Sequence, residues 1–63
     1  MSAEERFGDI RRELERQGWK LVRISGSHHI FERPGDSILV IPVHQGKVKP
    51  VYVRRIKKIL EGD

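Results

Sequence analysis

The chain has no cysteine. That excludes a disulfide framework and a thiolate metal site, and it fits a reducing cytoplasm. No apolar run approaches the roughly 20 residues that cross a bilayer, so no membrane association is expected. The opening Met1-Ser2-Ala3-Glu4-Glu5 is polar and acidic. It lacks the basic-then-apolar order of a secretory signal, and a soluble, cytoplasmic protein is expected. There is no GxGxxG or other glycine-rich phosphate loop, no repeat, no linker and no low-complexity segment. Sixty-three residues make one small domain, read here as 1–63. A chain of that size buries only about 60% of the surface its unfolded form exposes. Its core must be thin, which suits one sheet covered on one face.

What is present is positive charge. Thirteen Lys and Arg against nine Asp and Glu give +4, with a pI near 10.0. A small domain with a pI above about 9 points toward nucleic acid. In the first third, Glu4, Glu5, Asp9, Glu13 and Glu15 offset the arginines. From Gly46 to Leu60 there are Lys47, Lys49, Arg54, Arg55, Lys57 and Lys58 and no acid. Such a block also suits an acidic protein partner, or a merely solvated face.

Ser2-Ala3-Glu4-Glu5 reads as a capping box. Ala3, Phe7, Ile10 and Leu14 then recur at helical spacing. Gly18 is a natural stop, so a helix is expected at about residues 3–17. Gly8 inside it costs about 1 kcal/mol relative to alanine. Trp19 to Ser25 alternates as a strand, with Trp19, Leu21 and Arg23 on one side and Lys20, Val22 and Ile24 on the other. Gly26-Ser27 is a hairpin-like turn. A second strand covers His28 to Arg33. His28, Ile30 and Glu32 share one of its faces and His29, Phe31 and Arg33 the other, and the pattern alone does not select the covered face. Arg33-Pro34-Gly35-Asp36 is a turn of type II composition. Ser37 to Val43 is nearly all aliphatic and is expected to be the central or best-buried strand. Pro42 cannot donate to a ladder, so pairing on that side should stop there. His44 to Pro50 reads as a loop and about 50–61 as a second helix, with Pro50 in its first turn. The expected fold is α+β in the order α-β-β-β-α, a three-stranded antiparallel sheet with both helices on one face.

The reactive side chains are few, and the histidines stand out. Gly26-Ser27-His28-His29 sets two of the three side by side, and His44 follows the last aliphatic strand. A metal site is not expected: adjacent strand histidines point to opposite faces, and His-x-x-x-His spacing is absent. Ser27 beside His28 is no triad, because nothing marks an orienting carboxylate. RNA cleavage without metal is the chemistry these residues suit. It needs a base for the ribose 2′-hydroxyl, an acid for the leaving oxygen, and cations for the charge developing on phosphate. Histidine titrates near neutrality and serves as either acid or base. The plainer reading of His28 is a strand histidine with one hydrogen bond, and of His44 a loop histidine beside a helix. Trp19 and Phe31 have the chemistry to stack on bases, but aromatics at strand period in a small domain read as core or rim.

The same residues carry a resemblance. Gln17-Gly18-Trp19, Lys20-Leu21-Val22-Arg23, Gly26-Ser27-His28-His29, Ile41-Pro42-Val43-His44 and Ile56-Lys57-Lys58-Ile59-Leu60 are similar, over essentially the whole chain, to the HicA family of toxins. The resemblance implies a fold like that of double-stranded-RNA-binding domains. It implies a type II toxin that cleaves mRNA, without a cofactor, through one histidine of the signature strand. His28 is the catalytic residue expected, with His29 as the alternate. Gly26 shapes the turn. Lys20, Arg23, Ser27, His44, Lys47, Lys49 and Arg54 are the expected RNA contacts. The implied partner is a HicB-type antitoxin, which usually covers the active site with a partial RNase-H-like domain. Operator DNA is then met only through the antitoxin complex. Val51-Tyr52-Val53-Arg54 departs from the Gly-Thr-Leu-Arg type of start more common in relatives. Two readings stay beside the nuclease: a non-catalytic RNA-binding module of the same fold, and a protein-binding domain with a basic face.

Overall fold

Phe31 decides which side of the sheet is inside. It is 0% exposed and is the last residue but one of β3 (His28–Glu32). In the computed structural model, which describes residues 3–62, β3 lies between β2 (Lys20–Ser25) and β4 (Leu39–Pro42). Both pairings are antiparallel, with Leu21 opposite Phe31 and Phe31 opposite Leu39. Helices α1 (Phe7–Arg16) and α2 (Pro50–Leu60) bury Ile10, Leu14, Val53 and Ile56 in the same cluster as Trp19, Phe31, Leu39 and Ile41. The fold is therefore α+β, with both helices on one face of a three-stranded antiparallel sheet. Full burial of each large apolar side chain contributes roughly 1.5–3 kcal/mol.

The aliphatic strand β4 lies at an edge of this sheet rather than at its centre. Its alternation is real: Leu39 and Ile41 are buried, while Val40 is exposed and Ile38, just before it, is 60% exposed. The helices cover only one face, so half of an apolar run is left in water. Pro42, opposite His28, is the last residue of β4, but the Val43 amide still bonds the Ser27 carbonyl, so the ladder runs one bond past the proline.

The chain enters α1 later than its apolar spacing suggests. Residues before Phe7 do not extend the helix. Instead β1 (Glu5–Arg6) pairs with β5 (Lys47–Val48), Glu5 opposite Val48 and Arg6 opposite Lys47. The Phe7 amide donates to the Gly46 carbonyl at 2.8 Å. Backbone pairing and the burial of Val48 outcompete the first helical turn. The capping box rests on Ser2, outside the described residues, and Arg6 is the N-cap of α1 without a side-chain hydrogen bond.

At its other end α1 stops at Gly18. The Trp19 amide donates to Leu14 and the Gly18 amide to Glu15, at 3.0 and 3.1 Å. This is the Schellman closure, with Gly18 at φ 93. Arg33 braces the same corner. Its guanidinium lies 4.7 Å over the Trp19 ring, bonds the Gln17 carbonyl and pairs with Asp36 at 2.7 Å. That hydrogen bond holds the Asp36 carboxyl below its ordinary value. Trp19 is buried, as expected of a core aromatic. Among the described residues, no helix is long and apolar enough to cross a membrane.

Candidate active site

The signature turn is a two-residue hairpin loop. Ser25 pairs with His28 around Gly26 and Ser27. Gly26 has φ 58 and Ser27 is not among the positive-φ residues, which is the type II′ pattern with glycine first. The turn fixes the register of β3, and the register separates the two histidines. His29 shares the face of Phe31. It is half-buried and opposite Ile41. Its ring lies 4.4 Å from that of Phe7, tilted by 55°, and its Nδ1 is 3.3 Å from the Ser27 carbonyl. His28 is exposed on the open face, opposite Ser25 and Pro42.

His44 joins His28 on that face. The Val43 amide donates to Ser27 at 2.8 Å, which continues the β3–β4 register past Pro42. Leu39 and Ile41 are buried and Val43 packs against the core, so Val40, Pro42 and His44 alternate outward. His44 is thus a diagonal neighbour of His28, a relation that sets residues about 7–8 Å apart. The expected loop at 44–50 is instead a second tight hairpin at 44–47 followed by β5. The His44 and Lys47 amides each donate to the other's carbonyl at 2.9 Å. Gln45 (φ 54) and Gly46 (φ 77) both take positive φ between them, as a type I′ turn requires.

Pairing carries the arrangement two residues further. Lys47 faces His44 across the hairpin, and Arg6 faces Lys47 across the β1–β5 ribbon. Glu5 turns inward, where its carboxylate meets Lys57 of α2 at 3.1 Å and raises the Lys57 pKa through that hydrogen bond. Arg6 turns outward and is exposed. The open face therefore gathers His28, His44, Lys47 and Arg6.

A protein-family model described as the HicA toxin of bacterial toxin-antitoxin matches residues 7–61. The chain belongs to the HicA toxin family. The match spans both helices, the three-stranded sheet and all three histidines. Membership implies a toxin–antitoxin pairing with an antitoxin. No curated protein matches the chain significantly.

The remaining expected site residues of this HicA-family chain divide between two layers. Lys20 lies opposite Glu32 and Arg23 opposite Ile30, both on the open face. Arg23 gets there through a β-bulge between Leu21 and Arg23. Strict alternation would have put it with Trp19 and Leu21 against the helices, so the bulge corrects that expectation. Ser27 is half-buried and acts through its carbonyl, which accepts from Val43. Lys49 is the exposed N-cap of α2. Arg54 is exposed on α2, in the helical layer, and is not gathered with the histidines.

Arg6 is the residue that sequence reasoning assigned to the helix and so missed. A two-residue strand carries no readable period, and only its pairing with Lys47 reveals the face. Among the described residues, no group of three His, Asp or Glu side chains is placed to hold a metal ion.

Proposed function

We propose that this HicA-family toxin is a metal-independent endoribonuclease acting on mRNA in the cytoplasm, and that residues 1–63 work as one domain. The observation that carries this reading is the register that sets His28, His44, Lys47 and Arg6 side by side on the uncovered face. Two imidazoles supply a base and an acid at neutral pH. Lys47 and Arg6 supply cations for the phosphate oxygens. Lys20, Arg23 and Lys49 extend the basic surface for the flanking strand, and Arg54 meets RNA only where it reaches the helical layer.

The reaction follows from these groups. One imidazole takes the proton of the ribose 2′-hydroxyl. The 2′-oxygen bonds to the adjacent phosphorus, and the bond from phosphorus to the 5′-oxygen breaks. The second imidazole gives its proton to that leaving oxygen. A 2′,3′-cyclic phosphate and a 5′-hydroxyl result, and proton exchange with water resets the pair. An in-line displacement needs a base and an acid each within hydrogen-bond reach of its own oxygen on opposite sides of the phosphorus, and two histidines that are neighbours on one face suit that need. His28 is the catalytic residue in this reading. His29, packed on Phe7, is the alternate that the geometry favours less. The antitoxin partner is of HicB type and covers this face, and operator DNA is met through that complex.

Incubating the purified chain with single-stranded RNA in EDTA tests the reading. Cleavage should persist in EDTA. It should fall about 10²–10⁴-fold in His28→Ala, with RNA binding retained. Binding by the natural chain with no cleavage would instead make it a non-catalytic RNA-binding module.

A further inference from the structure

The open face has a second feature, at the end of the sheet away from the histidines. Two overlapping clefts of about 650 and 320 Å³ share Val22, Glu32 and Ile38. Their walls are apolar in part: Val22 is 45% and Ile38 60% exposed. Lys20 and Glu32 are opposite one another in the register, and Arg23, Arg33 and Asp36 are the other charged groups of the lining. Neither Lys20 nor Glu32 takes part in the ion pairs Arg11–Glu15, Arg12–Asp9, Arg33–Asp36 and Lys57–Glu5. Asp36 at the rim is thus already held by Arg33. Glu32 is left as an uncommitted carboxylate in the middle of an RNA-facing surface.

A carboxylate there repels phosphate, so the backbone of a bound strand does not run over it. It accepts hydrogen bonds from the N–H groups of a base edge. Lys20 beside it donates to a base carbonyl. Glu32, Ile30 and His28 share one face of β3, and four residues of strand span about 13 Å. The nucleotide reacting at His28 does not reach that far, but a flanking one does.

We propose that this cleft is a base-reading subsite for a nucleotide flanking the scissile phosphate, and that guanine is its best occupant. The inference rests on the endoribonuclease reading above. Guanine N1–H and N2–H donate to the two oxygens of Glu32, and its O6 accepts from the Lys20 ammonium. The ring lies between Val22 and Ile38. Uracil fits worst, because its single N–H is flanked by two carbonyls and one of them meets the carboxylate.

The test uses the purified full chain and single-stranded RNA oligonucleotides that differ by one base at each position beside the cleaved bond. At one flanking position, kcat/KM for guanine should exceed that for uracil by roughly 5- to 150-fold, the discrimination of one bidentate pair. Glu32→Gln offers a donor as well as an acceptor and should bring the two bases within a few-fold. Ile38→Ser should raise KM for both without reversing the order. Both residues are exposed, so the variants should fold, which circular dichroism checks. Cleavage with the same base preference in Glu32→Gln overturns the subsite and leaves the nuclease standing. No cleavage of any oligonucleotide by the natural chain overturns both.

Discussion

Arg6 and Lys47 lie opposite one another across the β1–β5 ribbon, and Lys47 in turn faces His44. Residues 41 positions apart in the chain thereby form one outward row of positive charge beside His28. The ribbon costs α1 its first turn and gains the enclosure of Val48, which is fully buried. The same exchange turns Arg6 from a helix residue into a neighbour of the histidines.

Neutralising that row should weaken RNA handling without unfolding the chain. Each contact to phosphate removed should lower the slope of log K against log salt by about 1. Arg6→Gln and Lys47→Gln, measured by RNA binding across a salt series, should each show that change and lose cleavage more than tenfold. Unchanged slopes in both would remove them from the phosphate path.

His29→Ala should separate packing from chemistry. The His29 ring is half-buried against Phe7, and ring pairs contribute about 0.5–1.5 kcal/mol beyond their area. A loss of about 1 kcal/mol lowers the melting temperature of so small a domain by about 4–8 °C. RNA cleavage at 25 °C should remain within a few-fold of the natural chain. Cleavage lost in a folded His29→Ala, and kept in His28→Ala, would exchange the roles of the two residues.

Much of this was legible in the residues. Gly18 and the Arg33–Asp36 turn act through fixed local geometry, and they mark the boundaries they were expected to mark. The apolar stripes of α1 and α2 follow a period long enough to read. What was not legible depends on pairing. Whether His28 or His29 faces the helices turns on Phe31 rather than Ile30 being inside, and the alternation is the same either way. The bulge at Val22 inserts one residue into an otherwise regular alternation and moves Arg23 to the open face. The hairpin at Gln45-Gly46 needs positive φ from a non-glycine. Arg6 is visible only once β5 exists to receive it.

Two exposed ion pairs carry opposite pH signatures. Asp36 is held below its ordinary value of 3.8 by Arg33. Its contribution is therefore present above the unfolded value and is lost as pH falls through the lower folded one. Lys57 is raised above 10.5 by Glu5. Its contribution is present below the unfolded value and is lost as pH rises through the higher folded one. Urea midpoints of Asp36→Asn and Lys57→Gln, taken from pH 2 to 11, should differ from the natural chain across the neutral range. The difference should close at the acid end for the first and narrow at the alkaline end for the second. Both contributions are small, because the pairs stand in solvent.

Gly26→Ala should show how far the signature turn sets the position of His28. A Cβ built on Gly26 meets no atom within 4 Å, so crowding contributes nothing. The cost is the backbone alone: φ 58 in an L-residue is disfavoured by roughly 1–2 kcal/mol. A domain that simply absorbs this cost should lose several degrees of melting temperature and keep its cleavage rate below the transition. A domain that escapes it by altering the turn shifts the register that holds His28 opposite Pro42 and beside His44. Cleavage should then fall by much more than stability does, since misplacing a reacting group by about 1 Å costs on the order of 10²-fold. The second outcome is expected, because a two-residue loop leaves no other residue to take up the strain. Thermal melts and RNA cleavage measured on the same preparation distinguish the two.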